Sequence, residues 1–219
     1  MKGFVNRFLI LSLGNFLFAL GIVITIMADI GYAPWEVFHV GLALTTGMSI
    51  GVASIVAGIV IVAIVTVAGE KLGLGTIASM IMTGLFIDMI IELNVIPLAD
   101  NLVIGIVMLV VGLFIVAFGS YFYIKSAFGA GPRDNLMVVL NRKTSFPIGV
   151  CRSAVELTVT FTGWLLGGKV GIGTVISIFA IGACIQIVFG IFKFDAASVK
   201  HETLKQTYDS LRGVSKHKA

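Results

Sequence analysis

Apolar blocks follow one another along the chain, roughly over 8–28, 48–68, 73–93, 102–124, 148–167 and 171–192, with short polar or glycine-rich breaks between them. Each is about 20 residues long, which as a helix is about 30 Å and matches the hydrocarbon core of a bilayer. Helices are expected rather than barrel strands. Strands would alternate apolar and polar positions, and an unpaired backbone group in lipid costs several kcal/mol. Two shorter stretches, 34–46 (PWEVFHVGLALTT) and 132–144 (PRDNLMVVLNRKT), each open on a proline. At roughly 20 Å as helices they are too short to cross, and they read as re-entrant half-helices. The pattern predicts an all-α, polytopic membrane protein.

The blocks also repeat. Shifting the sequence by 98 residues aligns Gly14 with Gly112, Gly21 with Gly119, Gly31 with Gly129, Pro34 with Pro132 and Thr46 with Thr144. It then aligns Ile50-Gly51-Val52 with Ile148-Gly149-Val150, Gly69 with Gly167, and Lys71 with Lys169. The run Gly73, Gly75, Thr76, Ser79, Gly84 meets Gly171, Gly173, Thr174, Ser177, Gly182. Agreement of glycines, prolines, threonines and a lysine in one register marks a duplication. The expected division is a first membrane repeat over 1–94, an outer linker over 95–101, a second membrane repeat over 102–192 and a basic cytoplasmic tail over 193–219.

Charge placement sets the expected topology, because Lys and Arg gather in cytoplasmic loops. If each unit crosses three times, Lys71, Lys125, Arg133, Arg142 and Lys143 lie inside with both termini, and only Lys169 lies outside. If the half-helices also cross, most of these cations move outside. Three crossings per unit are therefore expected, so the two units are inverted repeats, each of three spans plus a half-helix, related by a pseudo-two-fold axis in the membrane plane.

Composition agrees with this picture: 58% of residues are hydrophobic, 12% are charged, and the mean hydropathy is +1.09. Lys2 and Arg7 before an apolar run resemble a secretory leader, but the run exceeds the roughly 7 to 15 residues of such a region and no small-x-small cleavage site follows, so it reads as a span. Cys151 and Cys184 lack metal-ligand spacing and are expected as small core residues. The tail carries six Lys or Arg. Leu204, Tyr208 and Leu211 share one helical face there, which reads either as a helix lying on anionic lipid or as a solvated tail.

The stretches GYAPWEVFHVGLALTTGMSIGVASIVAGIVIV and GLGTIASMIMTGLFID, with their later counterpart GAGPRDNLMVVL, resemble the YczE/YyaS/YitT family of bacterial membrane proteins. The resemblance covers nearly all of the chain apart from the basic tail. Its most specific piece is the segment at Gly31, Pro34, Trp35 and Glu36, repeated at Gly129, Pro132, Arg133 and Asp134. What it implies is a multi-pass protein of the bacterial cytoplasmic membrane, with no agreed substrate.

The candidate functional residues are the charges that lie within apolar sequence. Glu36 and Asp134 each sit two positions after a proline that opens a half-helix, where backbone N–H groups are unpaired and the helix dipole is positive. Two readings are open: they cap those amides, or the two half-helices meet and pair their acids in a solute site with Trp35 and Arg133. Glu156 lies four residues after Arg152 in the span 148–167, either as an intrahelical ion pair or as part of that site. Asp88 reads as reaching the outer interface, and His39 as packed or hydrogen-bonded rather than as a metal ligand.

No nucleophile-base pair, acid pair or metal cluster has catalytic spacing, and Gly73-x-Gly75 is not a phosphate loop. No enzyme activity, cofactor, metal or nucleic-acid partner is expected. The leading expectation is a small secondary transporter or permease-like protein in the bacterial plasma membrane, with the bilayer, a small molecule or ion, and a second copy of itself as candidate partners. The alternative is a non-transporting membrane scaffold that assists another protein. A polar cavity between the two units favours transport, whereas a sealed interior favours the scaffold.

Overall fold

A computed structural model describes residues 2–207 except 71, 130, 200 and 205; the side chains of Lys2, Asp134, Ile148 and Ala197 also lie outside the described residues. Among the described residues there are eight α-helices and no strand. They are α1 (Lys2–Met27), α2 (Pro34–Thr46), α3 (Ile50–Val67), α4 (Leu74–Glu92), α5 (Leu102–Lys125), α6 (Pro132–Thr144), α7 (Ile148–Leu165) and α8 (Ile172–Ile191).

Five of these, α1, α3, α4, α5 and α8, are long and apolar enough to cross a membrane. Helix α7 is as long as α3, 18 residues, but is not in this group. Its sequence explains the difference: Arg152 and Glu156 stand where α3 has Ser54 and Gly58, and Thr158, Thr160 and Thr162 stand where it has Val60, Val62 and Ile64. The chain is a multi-pass membrane protein by these spans, with one further helix of crossing length and mixed polarity.

Local signals set the helix ends. Pro34 and Pro132 occupy the first turns of α2 and α6, where a missing N–H costs nothing and φ is already helical. Helix α2 stops at Gly47 with φ of 75°, and the Gly47 N–H donates to the Ala43 carbonyl. The Ser49 hydroxyl accepts from the Val52 N–H to start α3, and the Asn101 side chain accepts from the Ile104 N–H to start α5.

The longest interface joins α1 to α5. Small residues permit it: a Cβ on Gly21 would stand 2.6 Å from the Gly112 carbonyl oxygen, and one on Gly119 would stand 2.8 Å from the Gly14 carbonyl oxygen. Close backbone approach of this kind replaces the hydrophobic drive that lipid cannot supply. Helix α4 packs on α1, and α8 packs on α5. Two clusters result, one of Ala19, Ile22, Val23, Ile87 and Ile90, the other of Leu109, Leu113, Ala117, Tyr121 and Val188.

The turns into the half-helices cross between the two sequence halves. Gly31, at φ 110°, lies against the backbone of Gly171, and Gly129, at φ 143°, lies against Gly73. A side chain would be strained in either backbone and would strike the neighbouring chain. The Gly173 N–H donates to the Ile30 carbonyl at 2.8 Å, and the Gly75 N–H donates to the Phe128 carbonyl at 2.8 Å. These are the same bond made twice, once in each direction between the halves.

The bundle has two ends. One carries the start of α1, Ala68, Glu70, Leu72, Ser126 and the described residues near Glu202. Arg7 bonds the Ser126 carbonyl and the Glu202 carboxylate there, and the Leu204 N–H donates to the Leu72 carbonyl. Arg142 bonds the Ala68 carbonyl and Glu70 at the same end. The other carries Asp29, Ala99 and Lys169: Lys169 pairs with Asp29 at 2.7 Å, and the Ala99 N–H donates to the Met27 carbonyl. The start of the tail is thus tied to protein, which neither a lipid-lying helix nor a freely solvated tail anticipates. Tyr208, Leu211 and the remainder to residue 219 lie outside the described residues.

Candidate functional site

The first turns of α2 and α6 meet. Neither has a side-chain cap, because Ala33 and Gly131 precede them in extended backbone and carry no acceptor. Their leading N–H groups therefore have no side-chain partner from the preceding residue. The Arg133 guanidinium stacks over the Trp35 indole at 4.5 Å, and its Nη1 stands 3.9 Å from Glu36 Oε1. Arg133 and Trp35 are the two residues that follow the aligned prolines Pro132 and Pro34. Cation-π stacking holds the planar guanidinium in a fixed orientation, which an ammonium on a flexible stem would not achieve.

Glu36 is 6% exposed and is the only Asp, Glu, Lys or Arg among the described residues that is buried. A carboxylate so placed must have compensating partners, since desolvating a lone charge is costly. Arg133 is one, and the carboxylate's own backbone N–H is another. Glu156 is near enough for its charge to act on Glu36. The Asp134 side chain lies outside the described residues, so the expected pairing of the two acids is described only from the Glu36 side.

A cavity of about 350 Å³ opens beside these residues. All eight helices line it, and both prolines stand at its wall. Trp35, Glu36, Arg133, Arg152 and Glu156, expected as ligand-binding from sequence, all border it. Gly31 and Gly129, expected to shape the half-helices, form the turns beneath it and are not in its wall. Arg152 Nε bonds Glu156 Oε1 at 2.8 Å along α7, so the intrahelical pair and the cavity position are both real. Arg152 keeps half of its side chain exposed, whereas Glu156 keeps 15%.

The cavity also has polar residues that sequence reasoning passed over. Asn15, Ser79 and Thr83 line it, and the Thr83 hydroxyl donates to Asn15 Oδ1 at 3.2 Å. Asn15 was visible as the lone amide in its apolar block; the serine and threonine are not distinguishable in sequence from helix-packing residues. Ser79 Oγ and His39 Nδ1 are buried without a hydrogen-bond partner, and both residues border the cavity. His39 is packed as expected, beside Trp35 and Phe38, but its Nδ1 is not hydrogen-bonded. Buried polar atoms left unpaired are uncommon and call for a partner.

Asp88, expected to reach the outer interface, has protein partners. Its carboxylate accepts from the Ser49 hydroxyl at 2.5 Å and from the Gly51 N–H at 2.7 Å, so it fastens the end of α4 across the start of α3. The helix start supplies donors that favour an anion. Cys151 and Cys184 are free, buried thiols. Among the described residues no three His, Cys, Asp or Glu side chains converge on a point that would hold a metal ion.

A family model described as "Family of unknown function (DUF6198)" matches residues 5–189. The chain is 33% identical over 180 residues to an "Uncharacterized protein" of Haemophilus influenzae, spanning 80% of this chain and 82% of the relative. It is 30% identical over 177 residues to the "Uncharacterized membrane protein YczE" of Bacillus subtilis, spanning 79% and 80%. It is 24% identical over 187 residues to the "Uncharacterized protein YyaS" of Bacillus subtilis, spanning 84% and 92%. The resemblance carried by the two glycine-proline segments agrees with these relatives. No solved structure matches the chain.

Proposed function

We propose that the chain, which belongs to the DUF6198 family, is a small permease that moves a polar solute through the cavity where its two half-helices meet. The cavity carries this reading. It is bordered by every helix, holds the buried Glu36 with Arg133 stacked on Trp35, and leaves two buried polar atoms, on Ser79 and His39, without partners. A void of this size suits a small metabolite, since ligand pockets run from about 300 Å³ upward. Charges in a membrane interior are costly and usually face a solute path.

In this reading residues 1–94 and 102–192 are inverted repeats of three crossings and one half-helix, joined by an outer linker over 95–101. Both termini lie in the cytoplasm, and the bilayer is that of a bacterial plasma membrane. The reciprocal bonds from Gly173 to Ile30 and from Gly75 to Phe128 support such an axis, as does the stacking of Arg133 on its counterpart Trp35. No catalytic step is assigned to the chain.

The test begins with thermal melts of purified protein against cations, amino acids and organic acids, because a ligand of the folded state raises the melting temperature with its occupancy. Uptake of the stabilising solute into proteoliposomes follows, with Glu36→Gln combined with Asp134→Asn. Loss of uptake by roughly tenfold or more in a correctly inserted variant is the expected result, the scale of a lost charge-assisted contact. Undiminished uptake removes these residues from the path. The absence of any stabilising solute favours the scaffold reading.

A further inference from the structure

The two halves repeat in sequence, yet one pair of equivalent helix seams is sealed and the other is parted. Helix α3 packs along α4, but α7, its counterpart, packs on α2 and α6 and not along α8. The glycines show the difference atom by atom. A Cβ on Gly51 would collide with the Gly84 carbonyl oxygen, and one on Gly84 would stand 2.6 Å from the Gly51 carbonyl oxygen. Their equivalents Gly149 and Gly182 both face open space. The same small residues that allow α3 and α4 to touch are present on α7 and α8 with nothing against them.

The seams lie at opposite ends of the bundle. The sealed one joins the start of α3 to the last half of α4, at the end that carries Asp29 and Lys169, and Asp88 latches it through Ser49 and Gly51. The parted one lies at the end that carries Arg7 and the tail. The cavity borders Arg152 and Glu156 of α7 and Ile178, Ile181 and Ile185 of α8, on both sides of the parted seam.

We propose that the protein alternates between two states that exchange these seams. In the second state Gly149 of α7 docks on Gly182 of α8, closing the parted seam at the tail end, while the Asp88 latch releases and α3 parts from α4 at the opposite end. The cavity then opens to the other side of the bilayer, and solute bound near Glu36 and Arg133 has crossed. This deepens the permease reading, since the same cavity is the one gated. Two features account for the present state. The latch exists on one side only, because Asp88 is matched by Gln186, and Ser49 by Pro147, which has no hydroxyl. Glu156 also stands where α3 has Gly58, so closing α7 on α8 carries the Arg152–Glu156 pair toward Ile178, a desolvation cost that α3 does not meet.

Paired spin labels read both seams in the full-length protein in lipid nanodiscs, with Cys151 and Cys184 replaced by Ala. One pair sits at Val52 and Leu85, the other at the equivalent Val150 and Ala183; all four positions are exposed. Asp88→Ala removes the latch. The longer Val52/Leu85 distance and the shorter Val150/Ala183 distance are expected to rise together, by roughly tenfold in population, as befits two lost hydrogen bonds to a carboxylate. Gly182→Leu, whose side chain fits the present state, is expected to abolish the short Val150/Ala183 distance and hold Val52/Leu85 closed. Movement of one pair without the other, or unchanged distances in both variants, overturns the proposal. Should Asp88→Ala fail to fold, the Gly182→Leu comparison with the unsubstituted protein decides alone. Reciprocal movement without uptake of any solute would uphold the alternation and remove the permease reading.

Discussion

Alanine at Gly84 and at Gly182 should change stability in opposite directions, although the two glycines are repeat equivalents. Both lie inside a helix, where Ala is favoured over Gly by about 1 kcal/mol. At Gly182 the new methyl meets nothing within 4 Å, so the propensity gain stands. At Gly84 it meets the Gly51 carbonyl oxygen at 2.6 Å and Ile55 Cγ1 at 2.5 Å. The isoleucine can rotate, but the carbonyl belongs to a helix start fixed by Asp88 and must move with its helix. Overpacking of this kind costs about 1 to 3 kcal/mol, which exceeds the propensity gain in most of its range. Gly84→Ala should therefore lose up to about 2 kcal/mol net, and Gly182→Ala should gain up to about 1. In a domain of this length each kcal/mol corresponds to roughly 2–4 °C in melting temperature. Melting in detergent, followed by the fraction that remains monodisperse, resolves such shifts. Equal shifts of the same sign at both positions would refute the sealed-and-parted description of the seams.

Three further outcomes follow from the geometry. Ser79→Ala removes a buried hydroxyl that has no partner, so it should leave the melting temperature unchanged or higher while weakening solute-induced stabilisation; a marked loss of stability would show that the hydroxyl is bonded. Phe128→Ala empties a fully buried site that the Arg7 guanidinium covers at 4.3 Å and the Phe4 ring meets edge-on, and should cost about 3 to 5 kcal/mol in unfolding measurements. Glu202→Gln loosens a half-exposed pair with Arg7, so stability should fall by less than about 1 kcal/mol while tryptic release of the tail accelerates; unchanged cleavage would separate the tail from Arg7.

The helices themselves were legible because their punctuation is chemical. Pro34 and Pro132 start α2 and α6 where the sequence places them, and both helices end after Thr46 and Thr144, the aligned threonines. Trp35, Glu36, Arg133, Arg152 and Glu156 stood out because charges in apolar sequence must find protein or water, and all five border one cavity, although the sequence left open whether the acids would cap amides or share a site. Other features lie beyond a one-dimensional reading. Asp88 could not be seen as a cap on α3, because its partners Ser49 and Gly51 are distant in sequence. Gly149 and Gly182 read the same as Gly51 and Gly84, so no residue type reports which seam is closed. That depends on the balance between two packings rather than on local preference. The docking of Glu202 on Arg7 was hidden for the same reason, since the tail's basic composition argued for lipid or solvent.

In the proposed topology the half-helices α2 and α6 dip into the bilayer without crossing it, and single cysteines labelled from each side of the membrane test that most directly. Val67, 90% exposed at the end of α3, and Asp100, exposed in the linker, report the two surfaces that separate the alternatives. With Cys151 and Cys184 replaced, a membrane-impermeant maleimide applied to intact cells should label Asp100→Cys and spare Val67→Cys, which reacts only after the membrane is opened. Labelling of Val67→Cys from outside with protection of Asp100→Cys would mean that the half-helices cross, and the two units would then not be inverted.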